Sequence, residues 1–204
     1  MARTPDLLFG SATRVRLLEL LLFNAGAQLH LREIARRAKA VPTFAKKELG
    51  RLEACGLVKR AEQGNMLLYS ANEKSPLYND MRSLLLKTSL LPEQLKKILQ
   101  KFDVKFALIY GSFAAGTESR GSDVDMLIVG NVREREFIAP LHELEGRLGR
   151  EVNYIIWTEH EFNKRAGEGN GLLVNIARNP VIFLAGDEDE FGRIAGKRPG
   201  KKGG

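Results

Sequence analysis

Apolar positions recur at helical spacing through the first quarter of the chain, in three separate bursts. Val15, Leu18, Leu21 and Leu22 form one stripe over residues 13–24, with Thr13 as a candidate N-cap. After the break "AGAQLH", Leu31, Ile34, Ala35 and Ala38 form a second, over residues 31–40. Pro42 suits the first turn of a third helix, which is expected to bury Phe44, Ala45, Leu49 and Leu52 and to stop at Gly56. The period then changes: "LVKRAEQGNMLLYSA" reads as two short strands joined by a Gly-Asn turn, the second running through Leu67 and Tyr69. Helical spacing returns over residues 76–102, with Leu77, Met81, Leu84 and Leu85 as an apolar stripe and Pro92 opening a second helix. Beyond it lie a buried strand, "VKFALIY", and a second one, "DVDMLIV". A helix over "VREREFIAPLHELEGRLG", the strand "REVNYIIWT", a helix capped by the Thr158–Glu161 box and a last strand and short acidic helix in "NPVIFLAGDEDEF" follow. Tyr154 and Trp157 are expected to pack.

Three helices followed by a hairpin is the order of a winged helix-turn-helix, assigned to residues 10–72. Charge sharpens the reading. The net charge is +7, and residues 1–60 hold 12 Lys/Arg against 5 Asp/Glu, whereas residues 61–185 hold 15 against 16. The basic excess belongs to the first segment, as expected of a polyanion-binding module. Thr43, Lys46, Lys47 and Arg51 fall on the side of the third helix away from its apolar stripe, a face suited to the major groove and its flanking phosphates. Lys59 and Arg60, entering the hairpin, would extend the phosphate contacts. The stretch "LHLREIARRAKAVPTFAKKELGRLEACGLVKR" resembles winged-helix repressors of bacterial and archaeal promoters. That resemblance implies DNA as partner and a homodimer.

The second half carries a different chemistry. Gly111 and Ser112 close a strand where the chain can turn sharply, with Ser112 expected to cap a short helix and present N–H donors to phosphate. After the loop "TESRGS", strand alternation puts Asp123 and Asp125 on one face, ~7 Å apart. At that distance two carboxylates repel by roughly 2 kcal/mol at an effective dielectric near 20. A Mg²⁺ ion shared with substrate phosphates turns that repulsion into a binding site.

The run G-S-F-A-A-G-T-E-S-R-G-S-D-V-D-M-L-I, residues 111–128, resembles the signature of the nucleotidyltransferase superfamily that includes DNA polymerase β, and most of all its minimal bacterial and archaeal members. The resemblance spans residues 103–185. It implies a mixed sheet flanked by helices, with Gly111, Ser112 and Ser122 on a nucleoside triphosphate. It also implies Asp123 and Asp125 on Mg²⁺, and attack of an acceptor hydroxyl on the α-phosphate. Ala115 stands where many minimal members have Arg. The third carboxylate of the family falls at Asn153, an amide that cannot take a proton; Glu151 shares its strand face two residues away. The candidate catalytic set is therefore Asp123, Asp125 and Asn153.

These readings give an α+β chain: a winged helix at 10–72, a helical linker at 73–102, a nucleotidyltransferase-like domain at 103–195 and a disordered tail at 196–204. One cysteine, Cys55, excludes an internal disulfide, and the absence of a ~20-residue apolar run or a signal-peptide layout fits a cytoplasmic protein without membrane contact. His30, His142 and His160 show no metal-ligand spacing. The expected function is a DNA-binding regulator with a nucleotide-binding companion domain. The alternatives are an active transferase that moves a nucleoside monophosphate, AMP first among them, to a protein or small-molecule acceptor, and an antitoxin-type partner of a small helical toxin.

Overall fold

A computed structural model describes residues 4–24, 26–64, 66–117 and 122–196. Asn65 of the expected turn, residues 118–121 of the loop before the aspartates and residues 197–204 of the tail lie outside the described residues. The chain forms a mixed α+β structure of two compact units, residues 1–90 and 91–204.

The first unit opens with helices α1 (Thr4–Phe9), α2 (Ala12–Leu22), α3 (Leu31–Arg37) and α4 (Pro42–Ala54). Helix α2 is capped two residues earlier than Thr13, by Ser11, whose hydroxyl accepts from the Arg14 N–H. Two residues of the break, β1 (Leu29–His30), are extended and pair with β3 (Met66–Ala71), which also pairs along its length with β2 (Val58–Gln63). The result is a three-stranded antiparallel sheet of order β1-β3-β2. Such a two-residue strand is set by its partner and leaves almost no pattern in the sequence. Val15, Leu18, Ile34, Ala45, Leu49 and Tyr69 meet in one core with Tyr78 and Leu85 of α5 (Tyr78–Leu85). Leu77, expected on that stripe, is 46% exposed.

The apolar stripe of α4 differs from the expected one. Ala45, Leu49 and Leu52 are buried, but Phe44 is 61% exposed and its place at the buried edge is taken by Glu48. The Glu48 carboxylate, 6% exposed, accepts from Arg14 Nε (2.7 Å) and Arg51 Nη1 (2.5 Å), so α2 and α4 are joined by a charged bridge at the rim of the core. Burial alone would raise the Glu48 carboxyl, yet the hydrogen bonds and charges of Arg14 and Arg51 hold it below its ordinary range. Arg51, expected to be available to a ligand, is thus bound to Glu48.

The segment 73–102 divides between the units. Helix α5 runs into a π-helical turn, Leu86–Leu90, and on into α6 (Leu91–Leu99), so Pro92 sits in the first turn of α6 without interrupting it. The second unit is a four-stranded mixed sheet of order β6-β5-β4-β7. Strand β4 (Asp103–Tyr110) pairs antiparallel with β5 (Val124–Asn131) and β7 (Ile182–Ala185), whereas β5 and β6 (Val152–Trp157) run parallel. The parallel pair requires a crossover, supplied by α8 (Glu134–Leu148). One sheet face, with Phe106, Leu108, Leu127, Val129 and Trp157, packs on α9 (Glu159–Gly167), α10 (Gly171–Ile176) and α11 (Glu188–Ala195) through Phe162, Ile176 and Phe191. Phe106 makes ring contacts at 5.6 Å with Phe162 and 5.5 Å with Phe191. Helix α9 begins at the expected capping box of Thr158 and Glu161. No helix among the described residues is long and apolar enough to cross a membrane.

Replacing Glu48 by Gln keeps the shape but removes the charge that two arginines share, at an expected cost of about 1–3 kcal/mol to the first unit at neutral pH. Because the folded pKa is depressed, the contribution is complete above the ordinary carboxylate range and is lost as pH falls through the lowered folded value. Hydrogen-exchange protection of the α4 amides in wild type and Glu48→Gln checks this: a wide gap at neutral pH that closes in strong acid is expected, and equal protection at neutral pH would refute it.

Candidate functional sites

Two groups of residues stand out, one in each unit. The first is built at the C-terminal end of β4. Tyr110 ends the strand in register with Asp125 of β5, and the chain then turns into α7 (Gly111–Ala115). Gly111 takes φ +76°, and a Cβ at that position would lie 2.7 Å from Asp125 Oδ2. Both facts demand glycine: the backbone conformation disfavours other residues, and the carboxylate occupies the side-chain volume. The N-cap of α7 is Tyr110, not Ser112, which lies inside its first turn with its hydroxyl free of a capping role.

Strand β6 adds the third residue. Its parallel register sets Asn153 beside Asp125, one strand over. Asn153 Nδ2 donates to Asp123 Oδ2 at 3.1 Å. Asp123, Asp125 and Asn153 are therefore brought together, on the sheet face that also carries Leu127 and Val129. Burial and then the negative charge of Asp123 raise the Asp125 carboxyl above its ordinary range, and the Asn153 amide offsets part of that rise. Tyr110 is pushed up as well, by burial and by Asp125. Ser122 is held from behind, its carbonyl accepting from Arg150 Nη1 at 2.6 Å. Glu151 contributes its backbone carbonyl to the Val124 N–H (2.9 Å) and lines a cleft beside Asp123 with His142, Glu145 and Arg150.

A cavity of about 260 Å³ opens next to Gly111 and Ser112, walled by Tyr110, Thr117 and, from the far side, Asn175, Ile176 and Asn179. The residues from α10 and its C-terminal end carry no recognisable motif, and only the folding of α10 against the sheet reveals them. Asn179 Nδ2 donates to Asn175 Oδ1 (2.6 Å), which fixes that wall.

The donor set can be matched to a cation. Among the described residues no cluster of three or more His, Cys, Asp or Glu side chains could hold a metal by itself. Asp123 and Asp125 supply two hard oxygen donors, repel each other when charged, and leave further coordination positions to other groups. That suits Mg²⁺ accompanied by phosphate oxygens and water rather than a closed protein cage.

The second group lies on α4 and β2, which pack together. Thr43, Lys46 and Lys47 are exposed, and neither lysine forms an ion pair among the described residues. Lys59 and Arg60 are exposed on β2, with Arg60 Nε 3.5 Å from Glu53. On α4, Val41 (57% exposed) and Phe44 (61%) open an apolar surface, although helical periodicity had assigned Phe44 to the core.

Sequence comparison places a known family on the second unit. Residues 93–175 match the family described as Polymerase beta, Nucleotidyltransferase. No curated protein matches the chain. Among solved structures, a toxin-antitoxin with AMP-PNP is 16% identical, covering 52% of this chain and 82% of that one, with a TM-score of 0.39. A mutant of the toxin-antitoxin MntA-HpeT is 15% identical over 52% and 84%, also at 0.39. A putative nucleotidyltransferase from Sulfolobus solfataricus is 24% identical over 41% and 76%, at 0.27. Residues 93–175 of the second unit are thus similar to the nucleotidyltransferases of the polymerase β family.

Proposed function

We propose that the second unit binds a Mg²⁺–nucleoside triphosphate and that the first is a winged helix that carries the protein onto DNA, making the chain a nucleotide-responsive DNA-binding regulator. The observation that carries the nucleotide half is the contact between the turn and the carboxylates: Gly111 packs so closely on Asp125 that a Cβ would sit 2.7 Å from its Oδ2. A phosphate chain laid against the Gly111–Ser112 backbone would lie directly beside Asp123 and Asp125. Those two aspartates would hold the Mg²⁺, which when bound neutralises phosphate charge. Ser112 and the backbone N–H groups would orient the phosphates, and the cavity ending at Asn175 and Asn179 would take the rest of the nucleotide.

Asn153 makes catalysis weak in this reading. An amide donates to Asp123 where a proton acceptor for the attacking hydroxyl would be needed, and losing a general base costs about 10²–10⁴ in rate. Binding without efficient transfer fits a sensor better than a transferase.

The DNA half draws support from the order of α2, α3 and α4 ahead of an antiparallel hairpin, from the local excess of cations, and from Lys46 and Lys47 being exposed on α4 with no ion pair among the described residues. Lys59 and Arg60 on the adjoining strand would meet neighbouring phosphates.

Three outcomes are expected. Titration calorimetry with Mg²⁺ and a nonhydrolysable ATP analogue should show binding by the wild type and at least tenfold weaker binding by Asp125→Asn. In the absence of ligand the same variant should melt higher, by about 2–4 °C for each kcal/mol of relieved repulsion; unaltered binding would sink the site. Pyrophosphate release from Mg-ATP should be slow in the wild type and rise about 10²-fold or more in Asn153→Asp, an increase that Asp125→Asn cancels. Fast release by the wild type would overturn the sensor reading. Fluorescence anisotropy with a labelled duplex should give an affinity that falls log-linearly with salt, and Lys46→Ala and Lys47→Ala should each reduce the slope by about one. An affinity indifferent to both lysines would remove the DNA assignment.

A further inference from the structure

Phe44 is a large aromatic side chain on a helix with a core face available, yet it points to solvent. Ala45 and Leu49, one and five residues on, are completely buried, so α4 is rotated to keep Phe44 out. The rotation is locked by the Glu48 bridge: Glu48 takes the position at the rim of the core, bound to Arg14 and Arg51 at 2.7 and 2.5 Å, and leaves no slot for a ring. Phe44, Lys47 and Arg51 follow at i, i+3 and i+7 and so form one row along the helix. Val41, at the N-cap, continues the apolar surface at 57% exposure. Isolated exposed apolar residues are common, but a phenyl ring and a valine three residues apart on a helix that also exposes Lys46 and Lys47, neither ion-paired among the described residues, form a patch with a charge pattern. The cations select a polyanion over an apolar protein surface as the occupant.

We infer that Phe44, with Val41 beside it, contacts the C5-methyl group of thymine, and that this apolar contact sets the sequence preference of the first unit. The inference rests on the reading of that unit as DNA-binding. A helix that enters the major groove directs its first-turn residues at base edges, while cations to either side reach phosphates. On α4 Val41 is the N-cap and the first turn holds Phe44, and Lys46 and Lys47 come next. Among the base edges facing the major groove, the thymine methyl is the apolar feature that a phenyl ring can cover; the other edge groups are hydrogen-bond donors and acceptors. Phe44 therefore distinguishes thymine from cytosine without a hydrogen bond, and Thr43 is the neighbouring polar group.

The test is selection of preferred duplexes from a random-core library by the full-length protein, followed by anisotropy on the winning duplex. A parallel set of duplexes carries deoxyuridine in place of each thymidine in turn, which removes one methyl and leaves every hydrogen-bonding group in place. Loss of about fourfold in affinity at one or two positions is expected, the worth of a buried methyl group. Phe44→Ala should bind the all-thymine duplex as weakly as wild type binds the uracil duplex, and should no longer distinguish them. Lys47→Ala should weaken both equally. Specific binding with no uracil effect, or the same uracil effect in wild type and Phe44→Ala, overturns this inference and leaves the DNA reading intact. No binding to any duplex at low salt overturns both.

Discussion

The approach of one glycine backbone to one carboxylate governs the arrangement of the second unit. Asp125 can stand against the Gly111 turn because no side chain fills the space between them and because residue 111 adopts a positive φ. The antiparallel register of β4 and β5 sets Tyr110 opposite Asp125, and the parallel register of β5 and β6 sets Asn153 on its other flank. A one-residue slip of β5 against β4 would send the aspartates to the opposite sheet face, and one of β6 against β5 would do the same to Asn153. The site is a consequence of sheet register, and the apolar face beneath it, with Phe106, Leu127 and Phe191, keeps that register fixed.

The electrostatics of the site follow from the same packing. The partly buried Asp125 carboxylate stands on the same face as the exposed Asp123 carboxylate, so its ionised form is costly until something positive or hydrogen-bonding joins it. Asn153 meets part of that demand with a neutral donor, which calms the pair without supplying a base. A carboxylate at the same place would add a third negative charge and a proton acceptor together. In the proposed reading the amide would favour retention of a charged ligand over turnover, and a bound cation would relieve the repulsion that remains.

The first unit uses charge differently. Glu48 lies at the rim of an aliphatic core and is tolerated there because two arginines saturate its oxygens. That bridge sets the rotation of α4, and the rotation in turn decides which side chains face outward. Arg51 is drawn into the bridge, whereas Lys46, Lys47 and Phe44 are left on the surface. The outward face of α4 is therefore a product of its inward face.

Much of this was already written in short stretches of sequence. Pro42 opens α4, the Thr158–Glu161 box opens α9, Gly111 follows the apolar strand β4, and Asp123 and Asp125 alternate onto one side of β5, because each is governed by contacts within a few residues. Other features were decided by the tertiary structure. The strand at Leu29–His30 exists only through its pairing with β3, and the wall of Asn175 and Asn179 arises only where α10 meets the sheet. Helical periodicity marks an apolar stripe but not its angular limit to within one residue, so Phe44 was assigned to the core and Glu48 was not. Only the packing of α4 against Arg14 of α2 could resolve that angle, since a residue at the edge of a stripe is buried or exposed according to what its neighbour across the interface can bind.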